Sequence, residues 1–139
     1  MISIRKAHHI GIGVKDLKVA AEWYQKVLGF VEKSSFQDPS SQLKIAYYHA
    51  QGFEIEFFVH PKTVAQGSER SQLGPSLKYQ GLLHLAFEVE DVDATWEQLQ
   101  TLGIDLETPP TSNSDLGVRY CFVRDPDGNL IEFLTPLPA

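Results

Sequence analysis

His9-Ile10-Gly11-Ile12-Gly13-Val14-Lys15-Asp16-Leu17 is answered 75 residues later by His84-Leu85-Ala86-Phe87-Glu88-Val89-Glu90-Asp91-Val92. At that single offset His9 meets His84, Val14 meets Val89 and Asp16 meets Asp91, so the chain reads as one supersecondary unit written twice. In the first copy Ile10, Ile12 and Val14 alternate with smaller residues as a strand does. Asp16 then supplies an N-cap carboxylate, and Leu17, Ala20, Ala21, Tyr24, Val27 and Leu28 recur at helical spacing up to Gly29. In the second copy Leu83, Leu85, Phe87 and Val89 form the strand and Asp91 the cap. Val92, Trp96, Leu99 and Leu102 make the apolar stripe, which ends at Gly103.

Shorter strands follow each helix, at 30–36, 43–49 and 53–59 in the first copy and 104–108, 117–123 and 129–135 in the second. Turn residues separate them: Asp38-Pro39-Ser40, Gln51-Gly52, Pro109-Pro110 and Asp125-Pro126-Asp127-Gly128-Asn129. The predicted organisation is α+β, with two tandem βαβββ modules at 1–60 and 82–139 inside a single domain spanning 1–139. Residues 61–81, with Pro61, Gly67, Gly74 and Pro75 and no periodicity, read as the linker and as a segment placed to lie over a site.

With 139 residues, 42% of them hydrophobic and 22% charged, the chain has enough apolar surface to form a core without a metal or disulfides. Any metal is then expected to serve function rather than folding. Twelve Lys and Arg against 18 Asp and Glu give a net charge of -6 with no long run of either sign, which argues against nucleic acid as a partner. A lone cysteine, Cys121, and a charged amino-terminal stretch containing Arg5 and Lys6 point to the cytoplasm. No apolar run is long enough for a membrane span. The expected partner is a small-molecule substrate.

The duplication also extends to carboxylates. Ile55-Glu56-Phe57 recurs as Ile131-Glu132-Phe133, so each module sets a glutamate on its last strand and a histidine on its first. A charge within an apolar strand is costly unless something compensates it. A divalent cation compensates both glutamates at once, because two neutral imidazoles and two carboxylates balance its charge. The predicted ligands are His9, Glu56, His84 and Glu132. This N/O set suits Ni, Co, Mn, Fe or Zn and leaves positions open for substrate. Glu54 competes with Glu56 on the same strand face, and the shared Ile-Glu-Phe context favours Glu56. His8, one residue before His9, is expected to face away from it.

Other signals are set aside. Gly11-Ile12-Gly13 has Asp16 where a dinucleotide fingerprint needs its third glycine. Asp125-Pro126-Asp127-Gly128-Asn129 places glycine fourth rather than sixth, which makes a tight turn and not a calcium loop. Cys121 has no partner for redox or nucleophilic work and reads as inert packing, and His49 and His60 receive no role.

The chain resembles the vicinal oxygen chelate superfamily, which includes glyoxalase I, methylmalonyl-CoA epimerase, extradiol dioxygenases and the fosfomycin and bleomycin resistance proteins. The likeness is carried by His9 to Leu17, by Trp23-Tyr24-Gln25-Lys26-Val27-Leu28-Gly29-Phe30, by His84-Leu85-Ala86-Phe87-Glu88-Val89 and by Asp125-Pro126-Asp127-Gly128-Asn129-Leu130-Ile131-Glu132. It implies paired modules curling into a half-barrel around a metal site, often in a homodimer. A glutamate at position 56 resembles the glyoxalase I site, whereas Gly81-Leu82-Leu83-His84-Leu85-Ala86-Phe87-Glu88-Val89 looks closer to the epimerase. The implied activity is that of a divalent-metal-dependent lyase or isomerase working through an enediolate on a small oxygenated substrate. By the same resemblance Glu132 is the catalytic base and Glu56 second to it, while Arg119 and Lys44 are candidates for contacting an anionic substrate. The alternatives are a metal-free, ligand-sequestering protein of the bleomycin-resistance kind, an epimerase-like enzyme and an extradiol-dioxygenase-like enzyme.

Overall fold

In the computed structural model, which describes residues 1–67, 70 and 72–138, Asp16 and Asp91 each begin a helix. The Asp16 carboxylate accepts from the Lys18 and Val19 backbone N–H groups at 2.8 and 3.2 Å, and Asp91 accepts from Ala94 N–H at 3.0 Å. Two donors left orphaned by the first turn are thereby satisfied in one helix and one in the other. At the far end Gly29 takes φ 71°, a left-handed value open to glycine. Its N–H returns to Gln25 O, and that of Phe30 to Tyr24 O.

The chain divides into two compact units, Met1–Ala65 and Gln66–Ala139. The first contains β1 (His9–Gly13), α1 (Leu17–Leu28), β2 (Val31–Gln37), β3 (Lys44–Ala50) and β4 (Phe53–Val59). Its sheet runs β1-β4-β3-β2, with β1 parallel to β4 and the remaining pairs antiparallel. The second contains a short helix α2 (Leu73–Ser76), then β5 (His84–Glu88), α3 (Val92–Thr101), β6 (Asp105–Asn113), β7 (Val118–Arg124) and β8 (Leu130–Pro136). Its sheet has the same plan, β5-β8-β7-β6, with β5 parallel to β8. Two four-stranded sheets with few helices make this an α+β fold, and neither sheet closes into a barrel.

Strand alternation decides which face of each sheet is packed. In the first unit Ala46, Tyr48, Ile55 and Phe57 are buried together with Ala20 and Tyr24 of α1, and the Tyr24 ring lies edge-on to Phe57 at 5.0 Å. In the second, Cys121, Val123, Ile131 and Phe133 are buried with Val92 and Leu99 of α3. Burial pushes the Cys121 thiol up to about 11, so it stays a protonated packing group, as expected. The alternate positions, among them His9, Glu56, His84 and Glu132, are turned to the opposite face of their sheets.

The strands begin within a residue of the predicted positions, with one larger departure. Pro109-Pro110 does not end a strand, because β6 continues through both prolines to Asn113. β6 is an edge strand whose pairing with β7 shifts register at Leu106/Thr108 and Thr108/Thr111, and a proline is tolerated where no ladder donor is required. Asp125 makes the tight turn expected between β7 and β8, accepting from the N–H groups of Asp127 and Asn129 and from the Asn129 side-chain amide. Of the predicted linker, Ser68, Glu69 and Ser71 lie outside the described residues, as does Ala139 at the end of the second module. From Gln66 onward the segment packs within the second unit. The Leu73 N–H donates to Glu107 at 2.7 Å, and Arg124 donates to the Arg70 carbonyl at 3.1 Å.

Arg124, 6% exposed, also donates through Nε to Glu107 at 2.9 Å. Burial pushes the Glu107 carboxyl up, but the donors from Arg124 and Leu73 outweigh it and hold it below the ordinary carboxylate value. A depressed folded value contributes stability above the unfolded pKa, and that stability is lost as pH falls through the folded one. Glu107→Gln is therefore expected to destabilise the protein by about 3 kcal/mol at neutral pH. Urea denaturation over a pH series should show wild type and variant converging once pH drops below the carboxylate range.

Candidate functional site

The parallel pairing of first and last strand sets a glutamate beside a histidine in each unit. Gly11 is the Cα partner of Glu56 and Ala86 that of Glu132, so each carboxylate stands beside the residue two beyond the histidine. His9 Nε2 lies 3.2 Å from Glu56 Oε2, and His84 Nε2 lies 2.9 Å from Glu132 Oε2. The side-chain exposures repeat as well, at 32% and 14% for the first pair and 31% and 13% for the second. Each imidazole therefore faces the open side while its carboxylate is recessed behind it.

Gly11 contributes by having no side chain. A Cβ there would come within 3.0 Å of the Phe58 ring and 4.0 Å of Glu56 Oε2, so the glycine leaves the cradle in which this carboxylate rests. Glu54 is placed differently. Its Cα pairs with His9, but its carboxylate reaches Lys33 at 2.6 Å, which holds its pKa below the ordinary range, and its second oxygen is buried with no partner among the described residues. Glu56, and not Glu54, is the carboxylate that meets His9.

Two further side chains complete the first pair, and sequence reasoning missed both. His8 does not face away: its Nδ1 lies 2.8 Å from His9 Nδ1. Strand alternation does not govern it, because β1 starts at His9 and His8 belongs to the preceding coil. This contact holds the ring of His9, whose Nε2 faces Glu56. Tyr47 lies directly across from Glu56 on β3, with its ring edge-on to His9 at 5.4 Å. The Glu56 carboxylate beside it, with burial, raises the phenol above its usual value. The duplication held the signal, since Tyr47 stands 75 residues before Phe122, whose ring meets His84 edge-on at 5.3 Å.

Each pair offers an imidazole nitrogen and a carboxylate oxygen, a donor set suited to a borderline divalent ion. Donors about 3 Å apart are also what adjacent ligands about 2.1 Å from one ion require. Within either unit, among the described residues, no third His, Cys, Asp or Glu joins its pair to form a metal-holding group.

The sequence profile of the Glyoxalase/Bleomycin resistance protein/Dioxygenase superfamily matches residues 6–133. The chain belongs to this superfamily. Among its relatives, the uncharacterized protein YaeR of Escherichia coli (strain K12) is 29% identical over 137 residues, covering 95% of this chain and 97% of its own. A probable lactoylglutathione lyase of Synechocystis sp. is 29% identical over 126 residues, covering 91% and 92%. A glyoxalase family protein from Enterococcus faecalis superposes with a TM-score of 0.78 at 25% identity, over 94% of this chain and 97% of its own.

The remaining predicted residues of this superfamily member sit on the helix-facing sides of the sheets. Arg119 is bound by Asp93 of α3 through two contacts of 2.6 Å and also donates to Ser112, so its guanidinium is engaged. Lys44 lines a groove of about 530 Å³ between α1 and β3–β4 together with Lys15, Lys18 and Tyr48. His49 is exposed opposite Glu54, and His60 orders its own turn, its Nδ1 accepting from Lys62 N–H. No helix among the described residues is long and apolar enough to cross a membrane.

The cradle at Gly11 is directly testable. Gly11→Val is expected to displace Phe58 and crowd Glu56, destabilising the protein by about 2 kcal/mol. Gly13→Ala, whose added Cβ meets open space, should fall within about 0.5 kcal/mol of wild type. Chemical denaturation of the two variants side by side measures both.

Proposed function

We propose that this protein is a divalent-metal-dependent lyase or isomerase of the glyoxalase type, with His9, Glu56, His84 and Glu132 serving together as ligands of one Ni, Co, Mn, Fe or Zn ion. The observation that carries this reading is the repetition of one His Nε2 to Glu Oε2 contact in both units, at the same register and nearly the same exposure. A structural histidine or an edge-guarding glutamate gives no reason for both copies to keep the pair. The similarity to a probable lactoylglutathione lyase supports the same reading.

A bound divalent ion supplies Lewis acidity to a carbonyl oxygen of the substrate. The chain's residues do the rest. His8 orients His9, and His9 and His84 each hold Nε2 beside the glutamate of their own unit. Glu132 takes a proton from the carbon next to the carbonyl and returns it to the neighbouring carbon, as a general base and then a general acid. Its recessed position limits water around the carboxylate while leaving one side open to the substrate. Glu56 serves as a ligand and stands second to Glu132 as a base. The substrate class is a small oxygenated molecule whose two oxygens, one of them a carbonyl, would fill the open metal positions, with an acidic C–H on the carbon next to that carbonyl.

Glu132→Gln keeps the shape and removes the base. Turnover of 2-oxoaldehyde hemithioacetals, or of acyl-CoA epimers if those prove to be the substrate, should fall at least about 100-fold in the metal-loaded protein. Unchanged turnover would contradict the assignment.

A further inference from the structure

Within the second unit, Arg124 is a buried guanidinium with one nitrogen still to be accounted for. Its side chain is 7% exposed. Nε donates to Glu107 at 2.9 Å, and Nη1 donates to the carbonyls of Gly128 at 2.6 Å and Arg70 at 3.1 Å. Nη2 is buried and has no hydrogen-bond partner among the described residues. A buried donor without a partner carries the full cost of its desolvation, and the planar guanidinium cannot turn this nitrogen away without breaking the other three bonds. Arg124 lines a cavity of about 40 Å³, and so do a second guanidinium, Arg70, and the side chains of Ser76, Leu83 and Leu130. All of them belong to the second unit.

The other polar groups around the cavity are engaged with one another. The Gln66 amide donates to Asn129 at 2.9 Å, Asn129 donates to Asp125 at 2.8 Å, and the Ser76 hydroxyl donates to the Gln72 carbonyl at 2.6 Å. Arg70 donates to the carbonyls of Gln80 and Leu82 at 3.1 and 3.4 Å, so the two guanidinia meet one carboxylate, Glu107, among the described residues. A water would satisfy Nη2 and leave the second positive charge unbalanced, whereas an anion does both. A cavity this small admits a single small ion and is too small for a phosphate ester. We propose that it binds one monovalent inorganic anion of the chloride class, hydrogen-bonded by Arg124 Nη2 and balanced by Arg70. Leu83 directly precedes His84, and Leu130 is the Cα partner of His84. The anion therefore braces the starts of β5 and β8 and ties the segment before β5 to the β7–β8 turn. This site stands independently of the metal reading.

The test compares thermal unfolding of the intact chain in sodium chloride and in sodium gluconate at equal ionic strength, gluconate being too large for the cavity. Crystals grown from sodium bromide then locate the heavier halide by its anomalous scattering. Chloride is expected to raise Tm by about 3 °C over gluconate along a saturating curve. Bromide should lie within hydrogen-bonding distance of Arg124 Nη2. Arg70→Gln leaves the buried Arg124–Glu107 pair in place, and it should weaken the apparent chloride affinity about tenfold by removing the balancing charge. Reading the difference between the two salts separates this effect from any general loss of stability in the variant. Equal Tm in chloride and gluconate, or a chloride effect that neither saturates nor responds to Arg70→Gln, overturns the proposal. So does a bromide-grown crystal with water alone beside Nη2.

Discussion

A carboxylate set into a strand of an apolar sheet must be compensated, and both sheets are arranged around that requirement. Glu56 and Glu132 follow isoleucines that are fully buried and precede phenylalanines that are nearly so, which leaves the carboxylates no route off the strand. Each meets an imidazole from the first strand because β1 and β5 pair in parallel with β4 and β8. That pairing depends on a helix crossing one face, and the helix depends on the aspartate that caps it and, in α1, the glycine that ends it. The paired histidines and glutamates thus sit on the face the helices leave uncovered, and the register fixes which residues reach it.

Two copies of one plan give the protein more than a repeated scaffold. A single His–Glu pair is an ordinary contact that a neutral imidazole or an ion satisfies equally well. In the function proposed above, two such pairs would balance the charge of one divalent ion. The superfamily to which the chain belongs includes enzymes of different chemistry on one frame, so identity of fold leaves the reaction to be argued from the site. Here both units carry a glutamate, and not another donor, at the position that meets the histidine.

Most of the fold was legible because its determinants are local. Alternating apolar residues, a capping aspartate and a left-handed glycine specify strand, helix and stop within thirty residues of sequence, and the duplication let each copy check the other. The four paired residues were legible for the same reason, and the Ile-Glu-Phe context separated Glu56 from Glu54 before any distance did. What escaped depends on context that alternation does not carry. His8 lies before the strand begins, so period-two reasoning turned it the wrong way. Pro109-Pro110 looks like a turn in one dimension and is an edge strand in three. Tyr47 becomes meaningful only once it lies across from Glu56, a pairing set by the β3–β4 hairpin.

In the proposed function, two histidines 75 residues apart serve one ion. The most direct test is the metal stoichiometry of His9→Ala and His84→Ala, each measured by elemental analysis after chelation, refilling with a divalent ion and removal of excess. One ion per wild-type chain is expected, with loss of tight binding in either variant, since each removes one of the four proposed ligands. Retention of the wild-type complement by either variant, or two ions per chain with one lost in each, would contradict it.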